Sequence, residues 1–252
     1  LVVAAYLGQL LLDRARRMTY RILFVPSTVG PLAWMQANRQ DLALVRAGLV
    51  LTGVGDPGAL HYKRSRRGEA LIDRAASLVV KRRWGVTQDF EPIGYDERQY
   101  CSPGFNLPVG CLMRTPWGTY PQYHSDADDA EFVKPAALAD TLAACGEIVE
   151  AMETNRRLRG TCPHGEPQLG RRGVLAAIAR HADAADLHRA VLWTLNLADG
   201  LHDLLDVAER SGLPYGTIRR AAELLLDHDL LSAEEPGEHR RAPESCQEGV
   251  SV

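Results

Sequence analysis

The alternation of short apolar runs with helix-patterned stretches constrains this chain most. Residues 20–25 (YRILFV) form a continuous apolar run suited to a buried strand, stopped by Pro26, Ser27, Thr28, Val29 and Gly30. A helix can open at Pro31 and reach Asn38. Residues 47–54 (AGLVLTGV) read as a second buried strand, ended by the turn Gly55, Asp56, Pro57, Gly58. Residues 68–82 are helical by pattern. Helix, strand, helix, strand, helix is the order of an α/β domain, and ligands of such sheets bind just past the carboxyl ends of the strands. Ser27 and Asp56 both stand there, although an Asp in a Gly-Asp-Pro-Gly turn also serves simply as a turn former.

The ends of the chain read differently. Residues 1–17 (LVVAAYLGQLLLDRARR) have helical apolar spacing and a basic end, which predicts a buried helix. The apolar run is too short to span a bilayer and lacks the basic start of a signal peptide. A core helix that early, with no initial methionine, suggests a piece of a longer protein. Residues 134–157 read as a long amphipathic helix closing an α/β domain over 1–159, and 160–170 (GTCPHGEPQLG) as a linker. Residues 171–231 read as all helical, within a second domain spanning 171–233. Inside it, 201–210, the turn Ser211-Gly212-Leu213-Pro214 and 215–226 form a helix-turn-helix. Residues 234–252, polar and with two prolines, read as a disordered tail.

With 252 residues, 46% hydrophobic and 24% charged, the chain has the composition of an ordinary globular protein. A formal net charge of −3 gives no basic field for nucleic acid. In the second helix of the helix-turn-helix, Arg219 and Arg220 are the only cations, against Glu223 and Asp227, so nucleic acid is not the expected partner. Five cysteines, at 101, 111, 145, 162 and 246, show no CxxC spacing and suggest reduced thiols in a cytoplasmic protein. Cys101 and Cys111 read as packing residues.

Residues 95–129 (YDERQYCSPGFNLPVGCLMRTPWGTYPQYHSDADD) gather the chemistry. They hold Asp96, Glu97 and Arg98 together, a Ser-Pro-Gly turn, and Tyr123, His124 and Ser125 ahead of Asp126, Asp128 and Asp129. A Pro-, Gly- and aromatic-rich stretch of this kind is an ordered loop more readily than a solvated one. Asp126, Asp128 and Asp129 suit a helix cap and solvated charges, or one could orient His124. The basic cluster Lys63, Arg64, Arg66 and Arg67 reads as a solvated helix start, although cations there oppose the helix dipole and hint at an anionic ligand.

That window, with Tyr62-Lys63-Arg64-Ser65-Arg66-Arg67-Gly68 and Pro167-Gln168-Leu169-Gly170, resembles a bacterial aminopeptidase-like family long catalogued as a domain of unknown function and carrying a winged-helix module. The resemblance covers nearly the whole chain to Leu231 and implies a place in the co-catalytic zinc aminopeptidase superfamily. It implies a mixed-sheet, three-layer α/β sandwich, amino-terminally truncated, with a small helical winged-helix domain. In that superfamily two zinc ions are held by two histidines, two aspartates and a glutamate, with another glutamate as base. By resemblance His124, in Tyr-His-Ser-x-x-Asp, and Asp56 become metal ligands, and Asp96 and Glu97 the catalytic acids. Arg98 and Tyr123 become substrate-binding residues, and the substrate a small peptide or amino-acid conjugate. Zinc needs nitrogen and carboxylate ligands plus an open position for water, whose pKa it lowers. The chain departs from this pattern at Ser27, which stands where the superfamily has its acidic pair, and at most half a metal site is expected. A catalytically silent binding protein acting through its winged-helix module is the alternative. A homo-oligomer fits either reading, and no membrane partner is expected.

Overall fold

The computed structural model describes residues 1–233, and the tail expected over 234–252 lies outside them. Two compact units divide the chain, the first ending at Glu153 and the second beginning at Thr154.

The first unit opens with α1 (Val2–Leu12) and α2 (Val29–Ala37), followed by a 3₁₀ segment over Arg39–Leu44. Next come β1 (Gly48–Leu51), β2 (His61–Lys63), α3 (Leu71–Arg82), β3 (Val86–Gln88), the short α4 (Glu97–Tyr100), β4 (Val109–Met113) and α5 (Pro135–Thr154). The sheet order is β1-β4-β2-β3. β1 and β4 are parallel, β4 and β2 antiparallel, and β2 and β3 parallel, so the sheet is mixed. β4 (VGCLM) is buried along its whole length, which suits a central strand covered on both faces.

α3 shows why these residues make a helix. Ile72, Ala75, Ala76, Val79 and Val80 recur at helical spacing, and all five are buried. Asp73 anchors its start: its carboxylate accepts from the Ser65 backbone N–H (2.6 Å), the Ser65 hydroxyl (2.5 Å), the Ala70 N–H (3.1 Å) and the Tyr62 hydroxyl (2.8 Å). Four donors on a carboxylate only 1% exposed tie α3 to β2 and to the turn between them. Burial and this carboxylate hold the Tyr62 phenol well above its usual pKa.

Three expectations are corrected. The run 20–25 forms no strand: Ile22 and Phe24 are 37% and 55% exposed, and the segment has no sheet partner among the described residues. The strand read over 47–54 is shorter, Gly48–Leu51, and it lies against β4. The opening helix is not a core helix, since only Val3 and Leu11 are buried while Tyr6 is 58% and Leu12 86% exposed. Its apolar residues ring the helix, so packing one side leaves the others outside.

The second unit contains β5 (Arg157–Gly160), α6 (Val174–Ile178), α7 (Ala184–Leu197), β6 (Asp199–Asp203), α8 (Leu204–Ser211), α9 (Tyr215–Asp227) and β7 (Leu231–Ala233). It is not all helical, because β6, β5 and β7 make an antiparallel sheet in that order. The stretch read as a linker belongs to it: Gly160 pairs with Leu231, and Leu169 is 5% exposed. Asp203 and Asp206 cap α8 reciprocally, each carboxylate taking the other's backbone N–H at 2.9 and 2.8 Å. Gly212, at φ +69°, closes α8 in the left-handed region that only glycine enters freely. Leu187, Val191, Ile218 and Leu225 fill the interior where α7 and α9 meet. Among the described residues, no helix is long and apolar enough to cross a membrane.

Candidate functional site

Three chain segments meet around Asp96. The Ser27 hydroxyl donates to Asp96 Oδ1 at 2.6 Å, joining the start of α2 to the start of α4. One residue earlier, the Tyr95 hydroxyl lies 3.0 Å from that of Tyr123, which draws in the loop carrying His124. Burial, then the Tyr123 hydroxyl, push the Tyr95 phenol up. Tyr95 also packs edge-on against Trp117 with ring centres 5.7 Å apart. Tyr123 meets Tyr120 edge-on at 5.7 Å and stacks on the His124 ring at 4.1 Å. The result is a half-buried aromatic wall of Tyr95, Trp117, Tyr120 and Tyr123 beside Asp96. His124 itself is exposed and sits at φ +55°, a left-handed conformation that a residue with a Cβ adopts at a cost of order 1 kcal/mol.

Beneath this wall lies a buried ion pair. Lys63 and Glu97 are both 0% exposed, with Nζ 2.5 Å from Oε1. The ammonium also donates to the carbonyls of Ile93 (2.6 Å) and Glu91 (3.2 Å) and lies 5.3 Å from the Trp117 ring centre and 5.6 Å from that of Phe90. A Cβ on Gly94 would come within 2.0 Å of Glu97 Oε1 and 2.5 Å of Lys63 Nζ, so only glycine lets the chain pass over the pair. The Cys111 thiol borders it; burial, then the Glu97 charge, push that thiol well above its usual value. The pair therefore ties β2 and β4 to the loop that delivers Asp96.

The residues singled out in sequence divide accordingly. Ser27, Asp96, Tyr123 and His124 belong to the gathered segments. Glu97 is corrected: sealed from solvent and paired with Lys63, it has no access to a water or substrate proton and serves as a buried counter-ion. Asp56 is 4% exposed, and its carboxylate accepts from the Thr115 hydroxyl (2.5 Å), the Thr115 N–H (3.2 Å) and the Gly58 N–H (2.8 Å). It locks the turn after β1 to the end of β4, the turn-former role. Arg98 is exposed, and no described residue pairs with it. Asp129 caps the turn before α5 through the N–H groups of Glu131 and Phe132. Lys63 was missed as a buried residue because a lysine in a basic run reads as solvated.

A zinc site needs about four ligands, three of them from the protein in a catalytic centre. Among the described residues, no three His, Cys, Asp or Glu side chains converge as a metal-binding group. The described residues do not fit a zinc site unaided.

Comparisons with known proteins match this layout. Residues 1–155 match the model of a family described as "Domain of unknown function (DUF4910)". The chain belongs to that family. Residues 156–233 match the winged helix-turn-helix model, in keeping with α8, its turn, α9 and the β5–β6–β7 sheet. The chain is 39% identical, over 217 residues, to a Clostridium acetobutylicum protein named "Putative polysaccharide biosynthesis protein with aminopeptidase-like domain". That match takes in 85% of this chain and 50% of the other protein. It also resembles the crystal structure of a "putative peptidase" from the same organism, with 35% identity, a TM-score of 0.84 and coverage of 92% of this chain and 52% of that one. The chain thus spans about half the length of each.

Proposed function

We propose that this chain is peptidase-like and handles small peptides or amino-acid conjugates in the manner of an aminopeptidase. The observation that carries the reading is the junction at Asp96, where Ser27, the Tyr95–Tyr123 pair and the His124 loop meet. An aminopeptidase must hold an α-ammonium group and an apolar side chain next to the bond it cuts. Asp96 offers the ammonium a carboxylate, and Trp117, Tyr120 and Tyr123 offer the side chain an aromatic face. Arg98, unpaired among the described residues, is available to a substrate carboxylate.

The test is equilibrium binding of leucinamide to the chain. Saturable binding, weakened about tenfold by Asp96→Ala as expected for loss of a charge-assisted contact, is the predicted result. No saturable binding overturns the reading.

A second reading, a catalytically silent binding protein, is favoured by Ser27, a poor ligand and no base, hydrogen-bonded to Asp96. Turnover of leucine p-nitroanilide with added zinc separates the two. Zinc-stimulated turnover that is lost in His124→Ala, whether shown by the native chain or gained on Ser27→Glu, supports the hydrolase and overturns the silent protein.

A further inference from the structure

The same loop region leads at its other end to a cavity that the peptidase-like reading does not use. It has a volume of about 490 Å³ and lies where the 3₁₀ segment, the residues before α3 and the 104–107 turn come together. Its floor is apolar: Leu42, Val45, Phe105 and Leu107, all part of the core cluster built on Met35 and Tyr100. Three arginines, Arg39, Arg46 and Arg67, line it, and among the described residues no acidic side chain does. Asp41 and Glu69 neighbour the lining in sequence but are not part of it.

The arginines are poised rather than spent. Arg67 Nε donates to the Asn106 carbonyl at 2.8 Å, which fixes the side chain and leaves its terminal nitrogens without a partner among the described residues. Its neighbour Arg66 braces the same turn, through Asn106 Oδ1 at 3.1 Å and its backbone N–H to Cys101 Sγ at 3.4 Å. Arg39 and Arg46 form no ion pair or hydrogen bond with any described residue. Ala70 and Leu71, at the positive end of the twelve-residue α3, complete that side, although Asp73 already takes the Ala70 N–H. Three like charges around one concavity repel each other unless an anion joins them, and guanidinium forks match phosphoryl oxygens in geometry. One carboxylate, with two oxygens, would leave part of this donor set unused.

We propose that the cavity binds a small organic phosphate, a phosphate monoester on an apolar body, with the phosphoryl group among Arg39, Arg46 and Arg67 and the body on Leu42, Val45 and Phe105. The proposal does not rest on the peptidase-like reading. Occupancy would fix the 104–107 turn, whose Leu107 N–H bonds the carbonyl of Tyr100 at the end of α4.

The test is calorimetric titration of the chain with phenyl phosphate, inorganic phosphate and benzoate in low-salt buffer. Phenyl phosphate should bind one to one, at least about tenfold tighter than either simpler ion. Arg46→Ala and Arg67→Ala should each weaken it by about tenfold, with the melting temperature unchanged in Arg46→Ala, whose side chain bonds no described residue. Arg180→Ala, in the second unit, should leave it unchanged. Absence of saturable binding to phenyl phosphate, equal binding of inorganic phosphate, or loss of affinity in Arg180→Ala matching that of the cavity variants would overturn the proposal.

Discussion

Replacing Glu97 by glutamine should destabilise the first unit far more than a typical polar substitution. The change keeps the side-chain shape but strands the Lys63 ammonium, 0% exposed, without its counter-ion. Breaking a buried pair from one side costs roughly 3–5 kcal/mol. Here the carbonyls of Glu91 and Ile93 still accept from Nζ, which places the expected loss near the lower end, about 3 kcal/mol. Removing both charges together, as Lys63→Met with Glu97→Leu, abandons those two carbonyls at about 1 kcal/mol each but leaves no buried charge. The double variant should therefore lie closer to the native protein than Glu97→Gln does. Hydrogen exchange at the β4 amides of Cys111 and Leu112 reads the opening energy of this unit without assuming how the second unit unfolds. A loss below about 1 kcal/mol in Glu97→Gln, or a double variant worse than the single one, would refute the reasoning.

Three further outcomes follow from the same structure. Cys101, Cys111 and Cys145 are buried, and burial raises their thiol pKa, that of Cys145 to about 12; in a thiol-reagent titration with mass-spectrometric mapping they should stay unmodified until the protein unfolds, while half-exposed Cys162 reacts. Burial opposes ionisation of Glu153, but the Arg17 and Met18 N–H groups and the Tyr20 hydroxyl together hold its carboxyl below the usual range. Its contribution is thus present above about pH 4.3 and lost as pH falls through the depressed value, so the protection factors of the Arg17 and Met18 amides, taken against the intrinsic rate at each pH, should fall in acid, and unchanged protection would contradict this. Asp203→Ala, which removes the α8 cap, should cost about 1 kcal/mol in exchange measurements on α8, with the β4 amides unaffected.

What the sequence disclosed and what it hid follow from the reach of the interactions. α3 and α5 were legible because amphipathic spacing persists over many residues, and α8, its turn and α9 because Gly212 and Pro214 punctuate the pattern. β2 and β3 escaped notice, since three residues each (HYK and VTQ) are too few to show alternation. β6 (DGLHD) escaped because it is polar. The run 20–25 misled for the opposite reason: apolar composition says what a residue prefers, and Phe24 is left 55% exposed all the same. At the candidate site, the 95–129 window and His124 announced themselves by residue type. The Ser27–Asp96 and Lys63–Glu97 contacts join positions far apart in the chain, and nothing local encodes such pairs. Burial of Lys63 is a property of the partner rather than of the lysine.

Zinc titration of the native chain by calorimetry tests the central claim most directly, namely that the segments around Asp96 gather part of a peptidase-like site and not a full set of metal ligands. Complete protein zinc sites bind with roughly 10–16 kcal/mol, which corresponds to about 50 nM or tighter. With only Asp96 and His124 on hand, the account predicts a dissociation constant above about 10 μM. Stoichiometric binding below about 1 μM, abolished by His124→Ala, would contradict it and show that the described residues close a metal site after all.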